Sequence, residues 1–138
     1  MDTRKWVERY FQAEEAGHVD WIVAACSEDV VIYDAGQPPS RGPAGVRTRL
    51  TEFLDRTSSR KFEVLAVAAE NNVVYAWWQA RLTFRAGATF GPMTNKRSFD
   101  VTIPGIHRFL FNSSGQIREL DVAHETTTVM QHLMAPSD

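Results

Sequence analysis

Apolar residues change their spacing along this chain. Before residue 61 they recur mostly at helical intervals, broken by one β-branched run. After it they alternate with polar ones. In "TRKWVERYFQAEEAG" Trp6, Val7, Tyr10 and Phe11 stand at i, i+1, i+4 and i+5, on one face of a helix. Asp2 or Thr3 can cap its start, and Gly17 suits the position after its end. "VDWIVAACS" reads as a second short helix and "EDVVIYD" as a strand. "AGQPPSRG" is a loop by its Gly and Pro content. It leads to a third helix that opens on Pro43 and carries Val46, Leu50, Phe53 and Leu54 on its apolar face.

From residue 61 the period is two. "KFEVLAVAAE" and "VVYAWWQARLTF" flank "NN", a type I′ hairpin signal. Val74, Ala76, Trp78, Ala80, Leu82 and Phe84 share one face of the second strand. "RAGATFGPMTN" is a long connection, "KRSFDVTIPGIHRFLF" a further strand, and "NSSG" turns it into "QIRELDVAHET". The tail "TVMQHLM" suits a short helix. Helices come first and strands after, the order of an α+β fold. The expectation is a cone-like curved mixed or antiparallel sheet wrapped around three helices, in a single domain over residues 1–138 with an apolar pocket between the layers.

Parity then places the side chains. His107, Phe109 and Phe111 point to one face of their strand, with Ile106, Arg108 and Leu110 on the other. A tight "NSSG" turn pairs Phe111 with Gln116 and His107 with Leu120, so Leu120, Val122 and His124 join the His107 face. Arg108 then lies opposite Glu119, a favourable cross-strand pair. In this register His124 is four positions beyond the partner of His107, roughly 13 Å at ~3.3 Å per residue, too far for the two to share a metal. Pro104 and Gly105 read as a bulge. Trp77 and Trp78 face opposite ways, so one lines the interior and the other is free for a subunit interface.

Taken singly, each polar candidate has a bland explanation. His107 reads as a buried histidine bonded to backbone, Asp34 as a turn-initiating residue before "AGQPP", and Tyr10 as a core tyrosine with a satisfied hydroxyl. Motifs for other chemistries are missing. "HETTT" has Thr128 where a zinc protease needs its second histidine. There is no G-x-G-x-x-G, phosphate-binding loop or G-x-S-x-G elbow. "NSS" at Asn112 matches a glycosylation sequon but reads as a turn.

Composition narrows the class. The 138 residues are 43% hydrophobic and 23% charged, with a net charge of −2 from 15 basic and 17 acidic side chains. No block of like charge suggests a nucleic-acid or membrane surface. Cys26 is the only cysteine, which leaves no intramolecular disulfide or cysteine metal cluster. "MDTRKWVERYF" lacks the apolar run of a signal peptide, and "WIVAAC" and "VLAVAA" are too short to span a bilayer. A cytoplasmic protein is the expectation.

From about residue 7 to residue 125 the chain resembles the ketosteroid isomerases of the nuclear-transport-factor-2-like and SnoaL-like superfamily. "VERYFQAEEAGHVDWIVAACSEDVVIYDAGQPPSRGPAGVRTRLTEFL" follows the isomerase N-terminal half, and "FNSSGQI" resembles the family's last hairpin. The resemblance implies a deep apolar pocket, a homodimer, and no cofactor or metal. It puts Tyr10, in "ERYF", at the family's oxyanion-hole tyrosine and Asp34 at its general base. His107 falls where the family keeps a protonated aspartic acid. The implied activity is proton transfer on an apolar carbonyl compound, steroid- or polyketide-like, with double-bond isomerisation leading. A dehydratase or cyclase using Asp34 and His107 is the alternative, and a non-catalytic ligand-binding or dimerisation module the rival. Substrate contacts are expected from Trp78, Phe109, Phe111, Leu120, Val122 and His124.

Overall fold

The computed structural model describes residues 2–136. Helix α1 (Thr3–Ala16) starts where the Asp2 carboxylate accepts the Lys5 N–H. It ends at Gly17, whose left-handed φ of 73° lets its own N–H reach Glu14 and the N–H of His18 reach Ala13. Helix α2 (Val19–Ala24) leads directly into strand β1 (Cys26–Asp34). A two-residue strand β2 (Ser40–Arg41) precedes α3 (Gly42–Arg56), with Pro43 in the first turn. The long strands are β3 (Thr57–Glu70), β4 (Val73–Phe84), β7 (Phe99–Phe111) and β8 (Ile117–His124). The long connection between β4 and the next long strand folds a small hairpin of its own, β5 (Thr89–Phe90) against β6 (Met93–Thr94). Helix α4 (Thr127–Met134) follows β8 and stacks His132 on Phe99 at 4.4 Å.

The six-stranded sheet runs β2-β1-β8-β7-β4-β3. It is antiparallel throughout except where β1 runs parallel to β8, so it is mixed. The sheet is curved and unclosed, and α1 to α3 lie on its inner face. Every residue expected on the inner face of β4, from Val74 to Phe84, is buried. They meet Val7, Tyr10 and Phe11 of α1 and Val46 and Leu50 of α3 in one core.

Three local readings need correction. First, the loop after Phe111 is wider than a tight turn, because the Asn112 side chain accepts the N–H groups of both Ser114 and Gln116. Phe111 therefore pairs with Ile117, and a bulge follows between Phe111 and Leu110. These two shifts add, so His107 pairs with Val122 rather than Leu120, and Arg108 with Asp121 rather than Glu119. From Glu119 to His124 the error is an even number of residues, so those side chains keep their expected faces, while Ile117, shifted by one, turns into the core beside Phe111. Arg108 still reaches both acids, at 2.8 Å to Asp121 and 3.4 Å to Glu119. Second, Pro104 and Gly105 form no bulge against β4. The ladder runs unbroken from Val73–Leu110 to Phe84–Phe99. Third, the β3–β4 turn is not type I′, since Asn71 alone of its two residues has positive φ, at 54°.

Strand β3 is a sheet edge, and α1 reaches it. Arg4 Nη2 donates to the Val64 carbonyl at 2.9 Å, and the Phe62 N–H donates to the Glu15 carboxylate. Beyond that point β3 is bulged between Val64 and Ala66.

Candidate active site

His107 sits mid-strand on β7 with its ring in the core, 2% exposed. Phe11, Trp78, Phe109 and Tyr10 surround it at ring-centre distances of 4.9, 5.5, 5.5 and 5.8 Å. Trp78 Nε1 donates to its Nδ1 at 2.7 Å. An indole nitrogen can only donate, so Nδ1 is the acceptor and the neutral ring carries its proton on Nε2. Among the described residues, Nε2 of His107 is the one buried side-chain nitrogen or oxygen with no hydrogen-bond partner. An orphaned buried donor costs ~1–3 kcal/mol. Burial, then the positive charge of Arg49, then His124 hold the imidazole pKa well below its ordinary 6.5. His107 is thus a neutral N–H donor at physiological pH, not a group poised to titrate there.

Tyr10 is fully buried on α1, one turn before Glu14, and its hydroxyl donates to Glu14 Oε1 at 3.0 Å. Glu14 is itself 5% exposed, with Arg49 Nη1 3.8 Å from the same oxygen. Arg49, on α3, clamps Asp34 at the end of β1 in a two-point fork, 2.6 Å from Nε to Oδ2 and 2.9 Å from Nη2 to Oδ1. The result is a continuous polar chain through the core, Tyr10–Glu14–Arg49–Asp34. Burial raises the Glu14 pKa against the opposing pull of Arg49. Burial foremost, with Glu14 second, pushes the Tyr10 pKa well above 10. Burial works against the Arg49 charge, but the bonds to Asp34 overcome it and raise its pKa. Burial also lifts the neighbouring Cys26 thiol to about 11, so it stays protonated.

Asp34, Val122, His107 and Ala76 form one row across β1, β8, β7 and β4. Residues in such a row face the same way. Asp34 and His107 are thus two strand spacings apart, about 10 Å at ~4.8 Å each. The structure brings Tyr10 against His107 and links Tyr10 to Asp34 through two residues that sequence reasoning missed, Glu14 and Arg49. Glu14 left a signal, being four residues from Tyr10 on the same helix face. Arg49 left none.

The expected lining residues Trp78, Phe109, Phe111, Leu120 and Val122 are all buried on the His107 face. His124 is not among them. It is exposed at the strand end and lies 3.2 Å from the Glu125 carbonyl. It pairs with Gly105, two positions from His107 rather than four, because of the register shift. The deep apolar pocket also needs correction, because this space holds the protein's own rings. Trp6 packs edge-on to Phe109 and Phe111 at 5.2 and 5.0 Å, and Tyr10 to Phe109 at 5.0 Å. The crevice beside Glu14, between Ala13 and Leu54, has no room for a water molecule. A cavity of about 270 Å³ opens instead on the outer sheet face, between Tyr33, Tyr75 and Ile106. Among the described residues no three His, Cys, Asp or Glu side chains group to hold a metal ion, and no helix is long and apolar enough to cross a membrane.

Known proteins share this architecture. A structure from Shewanella denitrificans OS-217, provisionally described as a SnoaL-like polyketide cyclase, superposes with a TM-score of 0.80 at 17% identity, covering 96% of this chain and 97% of that one. The epoxide hydrolase/cyclase-like enzyme SalBIII, which acts in pyran ring formation in the polyether salinomycin, gives 0.71 at 21% identity, with 90% and 91% covered. An LEH-like epoxide hydrolase of M. tuberculosis gives 0.63 at 19%, with 93% and 86% covered. No curated protein matches the sequence. The sequence profile of the SnoaL-like domain spans residues 7–120, most of the chain including Tyr10, Asp34 and His107, and the protein belongs to that family.

Proposed function

We propose that this protein is a cofactor-independent enzyme that takes a proton from the carbon beside a carbonyl group in an apolar, polyketide- or steroid-like compound. The observation carrying this reading is the unpartnered Nε2–H of His107, buried among aromatic rings beside Tyr10. A donor held dry and without a partner is suited to an oxygen on which negative charge develops. Asp34, on the same row about 10 Å away at ~4.8 Å per strand, is the base. It takes the proton, the C–H electron pair forms a C=C bond, and the carbonyl electrons move onto oxygen. His107 Nε2–H meets that oxygen, which requires the aromatic rings packed around it to part as the substrate enters. Tyr10 assists when Glu14 is protonated, because the carboxyl O–H then donates to the phenol oxygen and frees the phenol proton. Arg49 positions Asp34, and the substrate must displace one arm of that fork for the carboxylate to act.

The same enolate has two outcomes. In a β,γ-unsaturated ketone, returning the Asp34 proton at the γ-carbon shifts the double bond, whereas attack of the enolate carbon on a second carbonyl closes a ring and the Asp34 proton passes to the alkoxide that forms. Ring closure is the better supported, because several structural neighbours are described as polyketide cyclases or cyclase-like. The closed interior favours a second reading, a non-catalytic module in which the aromatic cluster is simply core.

The test is exchange of the α-protons of a panel of apolar ketones with deuterated solvent, followed by NMR. The wild type should accelerate exchange, and Asp34→Asn and His107→Phe should each lose most of that acceleration. No acceleration with any ketone favours the second reading. Full retention in Asp34→Asn removes that residue as the base.

A further inference from the structure

We propose that Trp78 is a positioning residue that locks His107 in its Nε2–H form, with Gly105 as the gap that admits the lock. The inference rests on the reading of His107 as the oxygen-binding donor. In the ladder, Trp78 of β4 lies directly across from Gly105 of β7, and His107 is two residues further on, on the same face. The indole covers Gly105 so closely that a Cβ there would lie 2.2 Å from Cζ2 and 2.3 Å from Cη2. Only a residue without a side chain lets the ring lie flat across β7 and present Nε1 to His107 Nδ1. Phe11 and Phe62 wall the ring at 6.1 and 5.4 Å.

The bond decides which chemistry His107 can do. With the indole N–H aimed at Nδ1, a proton on Nδ1 would face another proton. The Nδ1–H tautomer and the imidazolium are both excluded until Trp78 moves. Among the described residues the charged and titratable groups acting on the ring are Tyr10 of α1, Arg49 of α3 and His124 of β8, with no carboxylate among them. His107 therefore offers one donor and no acceptor. It holds a carbonyl or ether oxygen and does not deliver a second proton. The dehydratase reading, which needs a histidine that protonates near neutral pH, is disfavoured.

The test is two-dimensional NMR of the protein labelled with ¹⁵N-histidine, recorded without substrate from pH 5 to 8. His107 should show an unprotonated Nδ1 and a protonated Nε2 throughout, and the Trp78 indole N–H should exchange slowly. In Trp78→Phe, which keeps an aromatic ring but removes the donor, the Nδ1–H form should appear. An Nδ1–H or imidazolium signal in the wild type overturns the lock, as does an unchanged His107 in Trp78→Phe. If that variant does not fold, the wild-type tautomer and the indole exchange rate decide alone. An Nε2–H tautomer in a protein that exchanges no ketone proton keeps the lock and discards the enzyme. Ketone exchange with the opposite tautomer does the reverse.

Discussion

Gly105→Ala adds one methyl group to a strand, and the structure gives it an unusual magnitude. Gly105 has no positive φ, so its backbone suits alanine, and the loss of chain freedom in the unfolded state would ordinarily stabilise by ~0.4–1 kcal/mol. Here the new Cβ falls 2.2, 2.3 and 2.7 Å from three indole atoms of Trp78, against ~3.5–4.0 Å for ordinary carbon contacts. The ring must retreat by more than 1 Å at ~3.5 Å contact, with Phe11, Phe62 and His107 packed around it. Forcing bulk into a filled core costs ~1–3 kcal/mol. The 2.7 Å bond from Trp78 to His107 does not survive the movement, and leaving its buried ends unpaired costs ~1–3 kcal/mol more. Less the entropic gain, the expected net loss is about 3 kcal/mol, a large share of the ~5–15 kcal/mol that holds a domain folded. Urea unfolding at pH 7.5, followed by far-UV circular dichroism, measures it. A loss below about 1 kcal/mol, or a gain, would refute the close packing of Trp78 on Gly105 that carries the argument, because backbone entropy alone predicts a gain.

Two further outcomes are expected. Below pH 6.5 the unfolded chain binds a proton at position 107 that the folded chain, with its lowered histidine pKa, does not bind. His107 therefore contributes stability that is fully present above pH 6.5 and lost as pH falls below it. The difference in urea midpoint between pH 8 and pH 5.5 should be larger in the wild type than in His107→Gln, and equal differences would show that His107 titrates normally. We also propose that the outer sheet face pairs with a second copy of the chain. Tyr33, Tyr75, Trp77 and Ile106 are all exposed there, Trp77 by 54%. A stable dimer needs ~800 Å² per partner, about a tenth of this molecule's 7,864 Å². The wild type should elute as a dimer in light-scattering chromatography and Trp77→Arg as a monomer, and a monomeric wild type at micromolar concentration would end this reading.

The helices were legible because their signals are local. A 3.6-residue period, an aspartate at the start of α1 and a glycine at its end act within a few residues of one another. Strand faces were legible too, since alternation survives a two-residue error in register. The register itself was not. It depends on how far the Asn112 side chain opens its loop and on a bulge beside Phe111, and neither leaves a composition signature. Gly105 drew attention but was misread as a bulge, because its cause is an indole 27 residues away that becomes visible only once β4 and β7 are aligned. The site divides in the same way. Tyr10, Asp34 and His107 could be named from position and resemblance. Arg49 could not, because a guanidinium two residues from Arg47 on a helix of mixed polarity looks solvated until the fold brings Asp34 to it.

The contact between α1 and the rim of the sheet has a consequence for the protein in crowded solution. A 14-residue outermost strand offers open backbone groups to any extended segment that drifts past, and this is how folded proteins seed intermolecular ribbons. Arg4 and Glu15 occupy two of those groups, at Val64 and Phe62. The bulge that follows breaks the flat template just where their cover ends. The first helix thus has a second task beyond carrying Tyr10, as a guard that keeps the sheet from recruiting strands that are not its own.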